Sequence, residues 1–245
     1  MRRCISPILV GAKKAGIRVI DVRQEPTAVF AADAVSRLTG IPGVAAVTAG
    51  PGVTNSITAI KNAQMAQSPL MLLGGAPATV LKGRGALQDI EQIKLMETLV
   101  KWSATIHQDC DIGPILEEAF DAAVSGIPGP VFIECPLDLL YDPKLVREWY
   151  SQEPIESMTV VEKVTRWYLR RHVDKMFACS AKSLEMAEKE AVEPFSVDPE
   201  DTGAVFEKIK QAQSPVMVIG SRATLRPHVC TGCPINSDHS GCRSF

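Results

Sequence analysis

The run Gly43-Val44-Ala45-Ala46-Val47-Thr48-Ala49-Gly50-Pro51-Gly52-Val53-Thr54-Asn55 decides the fold. Its first seven residues are almost continuously apolar and of strand length, the pattern of a strand buried on both faces. The strand stops at a Gly-Pro-Gly turn that opens a helix, predicted over 53–67 with Ile57, Ile60, Ala63 and Met65 or Ala66 inward. A fully buried strand followed at once by a helix is the unit from which parallel, helix-covered sheets are built.

The same unit recurs on either side. Upstream, Ile17-Arg18-Val19-Ile20-Asp21-Val22 reads as a strand. A helix over 26–39 follows, with Ala28, Val29, Ala31, Ala32, Val35 and Leu38 as its apolar positions and Gly40 as its C-terminal glycine. A first helix spans residues 5–15, opened by Ser6-Pro7 and ended by Gly16. Downstream, Pro69 to Gly75 is a buried strand, 101–106 is strand-like, 111–125 is an amphipathic helix, and 130–136 is the last strand. The helix over 111–125 turns Ile112, Ile115, Leu116, Ala119, Phe120 and Ala123 inward. Strand and helix alternating with glycine turns predict an α/β fold, a doubly wound parallel sheet over residues 1–145. Residues 146–200, charged and patchily helical, read as a connector with a solvated charged face. A helix over 201–212 and a buried strand over 214–221 then read as the start of a second α/β domain, 201–225.

Composition narrows function by exclusion. The 245 residues are 46% hydrophobic and 22% charged, the balance of a soluble globular chain. A net charge of −2 offers no electrostatic case for nucleic acid or for an anionic membrane surface. No apolar run reaches membrane-spanning length, and the N-terminus is too short in its apolar region for a signal peptide. Seven cysteines, an odd number, point to a reducing compartment rather than a disulfide framework.

Ligands of open α/β sheets bind outside the carboxyl ends of the strands. Glu25 follows one predicted strand, Gly50-Pro51-Gly52 the next, and Gly74-Gly75 the third. Glu25 stands before Pro26, which suits the first position of a helix, so Glu25 is predicted as the N-cap. Glutamate is not a favoured N-cap, and the simple explanation is a carboxylate near the positive end of a helix dipole. The Gly50–Gly52 turn lets main chain approach a ligand. It is neither a Gly-x-Gly-x-x-Gly fingerprint nor a P-loop with its lysine, which disfavours a Rossmann-type nucleotide site.

Taken together, Arg23-Gln24-Glu25-Pro26-Thr27-Ala28-Val29-Phe30-Ala31-Ala32-Asp33 and Val47-Thr48-Ala49-Gly50-Pro51-Gly52-Val53-Thr54-Asn55 resemble the pyrimidine-binding domain of thiamine-diphosphate-dependent enzymes. Gly85-Ala86-Leu87-Gln88-Asp89 is similar to the Gly-Ala-Phe-Gln-Glu segment of the acetolactate-synthase-like branch, which includes the 2-hydroxyacyl-CoA lyases. Gly129-Pro130-Val131-Phe132-Ile133-Glu134-Cys135-Pro136-Leu137-Asp138 is similar to the close of the same domain. The likeness extends from residue 5 to about 225.

This resemblance implies thiamine diphosphate and Mg2+ as cofactors and a small acyl-CoA or 2-oxo acid as substrate. It implies a homodimer or tetramer with the cofactor at the subunit interface, and location at the endoplasmic reticulum membrane through an N-terminal anchor not found in this sequence. Glu25 matches the carboxyl that hydrogen-bonds the aminopyrimidine ring, a role favoured by desolvation and opposed by the helix dipole. Gly50, Pro51, Gly52 and Asn55 match the loop near the pyrimidine, and Gln88 a polar group near the reacting centre.

The departures set a further expectation. Met1 to Cys4 stand where the family has a strand ending in Gly-Gly-His, and Gln24 stands where relatives often carry His. No Gly-Asp-Gly, the family's diphosphate and metal motif, occurs in the 245 residues. The expectation is a fragment of a lyase or carboligase that offers half a site and is inactive alone. The alternative is a non-catalytic chain that pairs with a full-length paralogue. His228, Cys230, Cys233, His239 and Cys242 are zinc-ligand types at no standard spacing, and residues 226–245 read as an unrelated, disordered tail. No metal-ligating residue is assigned.

Overall fold

The computed structural model describes residues 5–150, 160–178, 203, 207–214 and 216. Its framework is a four-stranded parallel sheet, β1 (Gly43–Val47), β2 (Leu70–Ala76), β3 (Trp102–Thr105) and β4 (Pro130–Pro136), in the order β1-β2-β4-β3. The helices are α1 (Ser6–Lys14), α2 (Glu25–Thr39), α3 (Pro51–Asn55), α4 (Ile57–Met65), α5 (Gln92–Met96), α6 (Ile112–Val124), α7 (Pro143–Tyr150) and α8 (Val160–Met176). This is the expected α/β class.

Alternation along the strands sorts the core into two layers. Leu70, Leu72 and Phe132 face Val29 and Ala32 of α2, Ala59, Ile60 and Ala63 of α4, and Met96 of α5. Met71, Leu73, Val131, Ile133 and Cys135 face Ala119 and Ala123 of α6, Val146 of α7 and Val173 and Met176 of α8. With β2 and β4 buried throughout, near-continuous apolar runs are what both strands require, whereas β1, expected to be buried on both faces, is an edge strand with Val44 50% exposed.

Residues 17–22 form no strand, contrary to the sequence expectation. The segment finds no place in the β1-β2-β4-β3 ladder, and Ile17 and Ile20 remain 61% and 68% exposed. A strand is stable only when its backbone groups are paired. The helix expected over 53–67 is two helices. Ser56, buried between them, donates its hydroxyl to the Gly52 carbonyl at 2.9 Å, and its N–H takes the nearer Val53 carbonyl, tightening the turn. That change of phase exposes Met65 and buries Ala59 beside Ile60 and Ala63.

On α2 the buried face carries Val29, Ala32, Asp33 and Ser36, whereas Val35 and Leu38 are exposed. Asp33 is 3% exposed because Arg37 clasps it with two hydrogen bonds, 2.9 and 2.7 Å, and Asn62 of α4 adds a third. Phe120 of α6 likewise lies at the surface. The helix itself begins one residue early: Gln24 is the extended N-cap and Glu25 the first helical residue.

The stretch expected as a connector after 145 is in its described part a piece of the first compact unit, Met1–Glu185. Its helix α8 buries Val173 and Met176, with Phe177 just beyond, because those side chains complete the second layer. The other unit is Met186–Phe245, where residues 207–211 are helical within the helix expected over 201–212. The strand expected over 214–221 lies, apart from Ser214 and Val216, outside the described residues, as do residues 1–4 and the Cys- and His-bearing segment 226–245.

Candidate functional site

The strand register puts Val47, Gly74, Glu134 and Thr105 in one row across the sheet near its carboxyl edge. The candidate residues sit just beyond that row. Glycine is needed at Gly74, where a β-carbon would stand 2.5 Å from the Phe132 ring. The chain leaves β1 through Gly50 at φ +63°, and a β-carbon there would come within 2.8–3.0 Å of the Gln88 main chain and Cβ. The Gly50 turn and Gln88 are therefore in direct contact, an approach that any side chain at position 50 would block.

Glu25 and Asn55, thirty residues apart in sequence, meet at this edge: Asn55 Nδ2 donates to Glu25 Oε2 at 3.3 Å. Helix α2 supplies the acid from its first turn, and α3, starting at Pro51, supplies the amide. Glu25 is half-buried, Asn55 exposed. Val29 points into the core and Phe30 is 42% exposed, so neither shields the acid as a wall of a closed pocket would. Glu25 Oε1 has no partner among the described residues. One oxygen held and one available suits a carboxyl that shares a proton with a weakly basic ring nitrogen. The same residues do not suit a cation: among the described residues no three His, Cys, Asp or Glu side chains converge.

Gln88 sits at φ +69°, a left-handed conformation that disfavours residues other than glycine by about 1–2 kcal/mol. The loop is closed around it by Asp89, whose carboxylate accepts the Gly83 N–H at 2.6 Å and whose N–H reaches the Ala86 carbonyl. Its side-chain amide makes no hydrogen bond among the described residues and is half-buried. Leu87 beside it is 87% exposed.

Beneath the turn lies a buried polar bridge that sequence reasoning missed. Gln92, 1% exposed, accepts the Gly50 N–H at 2.9 Å and donates both to the Gly75 carbonyl and to Glu134 Oε1 at 3.0 Å. Glu134, also 1% exposed, receives Lys82 Nζ at 2.5 Å and Thr105 Oγ1 at 2.8 Å on its other oxygen. Four segments end on this pair of side chains, which is how the carboxyl edge is held in place. The signal in the sequence was faint: Glu134 interrupts an apolar strand, and an acid there demands a buried partner. Nearby, burial raises the Cys135 thiol to about 12, with the charge of Glu134 adding to it.

A second buried acid ties α7 and α8 to the domain. Asp138, fully buried, accepts the Thr79 N–H at 2.9 Å, the Thr79 hydroxyl at 2.6 Å and the Tyr150 hydroxyl at 2.8 Å. His172 Nε2 lies 2.7 Å from Thr79 Oγ1. Burial first, and the charge of Asp138 second, push the Tyr150 phenol upward, while burial pulls His172 down.

A doubly wound sheet with a glutamate, a Gly-Pro-Gly turn and an asparagine at its carboxyl edge defines the class, and comparison agrees. Residues 3–95 match the thiamine pyrophosphate enzyme N-terminal TPP-binding domain. Residues 3–95 thus carry the N-terminal domain of the thiamine-diphosphate-dependent enzyme family. Within that family the chain is similar to 2-hydroxyacyl-CoA lyase 2 of Danio rerio, 48% identical over 223 residues that cover 91% of this chain and 36% of the relative. The Homo sapiens protein of the same name is 46% identical over 227 residues, covering 91% and 35%. The acetolactate synthase large subunit IlvG of Mycobacterium tuberculosis is 42% identical over 128 residues, 52% of this chain and 23% of the relative. The chain thus spans about a third of the length of the lyases it matches.

Proposed function

We propose that this chain supplies the aminopyrimidine half of a thiamine-diphosphate site in a carbon–carbon lyase or carboligase of the 2-hydroxyacyl-CoA lyase and acetolactate synthase kind. The observation that carries the reading is the Asn55–Glu25 hydrogen bond at 3.3 Å, with the second oxygen of Glu25 available beside the Gly50–Gly52 turn. When bound, thiamine diphosphate supplies the carbanion chemistry. Glu25 holds a proton between its Oε1 and the ring nitrogen, and Asn55 orients the carboxylate by its grip on Oε2. Gly50, Pro51 and Gly52 let main chain lie close to the ring. Gln88, held in place by the Asp89 closure, orients an acyl or carboxylate oxygen of a small acyl-CoA or 2-oxo acid substrate.

The diphosphate and Mg2+ are held by groups other than the described residues, across a subunit interface in a dimer or tetramer. In this reading the chain alone is inactive, and the endoplasmic reticulum location comes from the resemblance; no described helix is long and apolar enough to cross a membrane. Titration with thiamine, which has the pyrimidine but no diphosphate, tests the half-site by NMR. Amide shifts at Gly50, Asn55 and Gln88 are expected, and Glu25→Gln removes them without altering the fold. Shifts that persist in that variant refute the role of Glu25. Micromolar binding of thiamine diphosphate with magnesium to the lone chain refutes the half-site.

A further inference from the structure

Helix α8 has two apolar faces, and the fold uses one. Val173 and Met176 are buried on the sheet, and His172 is tied to Thr79 on the same side. The side turned away from them carries Val160, Val161, Val164 and Trp167, which are 77, 74, 59 and 60% exposed, with Tyr168, 53% exposed, at its edge, where its ring stacks on His172. At about 100° per residue, Val160, Val164, Trp167 and Arg171 fall on one line along the helix, with Val161 and Tyr168 beside it. A helix already packed on its own domain ordinarily turns a polar face to solvent.

The rim of this patch is basic. Lys163, Arg170, Arg171 and Lys175 are exposed, and the Arg171 guanidinium lies 5.6 Å from the centre of the Trp167 ring. Five basic against two acidic residues give α8 a net charge of +3, on a chain whose total is −2. Of the acids, Asp174 is paired with Arg147 at 3.5 Å and Glu162 is half-buried, so neither faces outward unopposed. Beside the patch a groove of about 360 Å3 runs between Trp167 and Tyr168 of α8 and Val80 and Arg84 of the loop that leads to Gln88. Arg84 adds a further exposed cation there.

We propose that the outer face of α8 docks this chain on an anionic lipid surface. The valines enter the boundary between headgroups and acyl chains, and Trp167 and Tyr168 take the interfacial level that amphipathic rings prefer. Arg170, Arg171, Lys175 and Arg84 meet lipid phosphates. An aliphatic patch with interfacial aromatics and a rim of net positive charge, its one exposed acid Asp174 paired with Arg147, complements an extended anionic surface; a folded partner would need its own acidic rim matched to one register. Docking this face sets the groove, and the loop that carries Gln88, at the lipid boundary.

Co-sedimentation of the 245-residue chain with phosphatidylcholine vesicles, with and without about 30% phosphatidylserine, tests this. The chain is expected to pellet with the anionic vesicles, to be released at about 0.5 M salt, and to shift its tryptophan emission to the blue. Replacing Trp167 with Phe removes most of that shift. Arg170→Glu with Arg171→Glu lowers partition by at least about tenfold, and Val160→Ser with Val164→Ser by about tenfold. All four positions are exposed, so the circular dichroism of these variants stays that of the parent chain. Failure to pellet with anionic vesicles overturns the proposal, as does partition unchanged in both double variants. If the variants instead dissolve a complex between copies of the chain while vesicle binding is absent, the face is a protein interface and the lipid assignment fails. Vesicle binding needs no thiamine compound, so its failure leaves the half-site reading where it stood.

Discussion

Replacing Gln92 with Met tests whether the buried amide holds the carboxyl edge. Methionine fills nearly the same volume, so the change removes polar contacts without opening a cavity. Three hydrogen bonds go: the one accepted from Gly50 N–H at 2.9 Å and the two donated, at 3.0 Å, to Gly75 and Glu134. Each buried group left without a partner costs about 1–3 kcal/mol. The Gly50 N–H bears the full penalty, whereas Glu134 keeps Lys82 and Thr105 on its other oxygen. The expected loss is about 3–5 kcal/mol, a large part of the ~5–15 kcal/mol that holds an ordinary domain. Urea unfolding followed by circular dichroism reads it as a lower midpoint at unchanged slope. Gln92→Glu is the companion variant. It keeps an acceptor for Gly50 but sets a second carboxylate against Glu134, so it loses stability at neutral pH and regains part of it in acid, as the pair takes up a proton. A loss below about 1 kcal/mol for the Met variant, or no pH dependence for the Glu variant, refutes the bridge as a structural clamp.

Two other expectations concern titrating groups. Burial lowers the His172 value in the folded chain, with Asp138 opposing and Lys175 reinforcing the shift, so the unfolded chain protonates first as pH falls. Stability from this residue is complete above its unfolded value of about 6.5 and declines as pH drops toward the folded value. His172→Gln should flatten that decline in urea midpoints taken between about pH 8 and pH 5, and an unchanged slope contradicts the assignment. Burial raises the Cys135 thiol to about 12, with Glu134 adding to it, so iodoacetamide at about pH 8 should leave it unmodified in the folded chain. Half-buried Cys110 should react sooner, and peptide mass spectrometry reporting the reverse order would mean that β4 opens readily.

Much of the fold was readable because its signals are local. β2 and β4 are buried on both faces, and near-continuous apolar runs are the sequence image of that position. Gly40, at φ +73°, ends α2 where a C-terminal glycine was expected. Periodicity failed where a feature depended on a neighbour distant in the chain. Residues 17–22 have strand composition, but the sheet gives them no partner. Ser56 splits one apparent helix by bonding back to Gly52, a competition that apolar spacing does not register. Asp33 occupies the inner face of α2 while Leu38 is 86% exposed, because a carboxylate clasped by Arg37 and Asn62 is cheaper to bury than its type implies.

By itself, the sequence determined the α/β class, the Gly50–Gly52 turn and Asn55 just beyond a strand, and Glu25 at the start of a helix, though not the strand expected before it. Those depend on backbone rules that act within a few residues: glycine at turns, proline at helix starts, alternation in strands. Only the tertiary structure decided that Asn55 donates to Glu25, that Gly50 abuts Gln88, and that Gln92 joins Gly50, Gly75 and Glu134. It alone also showed that α8 belongs to this domain and turns a second apolar face outward. Buried polar groups must find partners, and the partners are set by which strand ends the sheet order brings side by side.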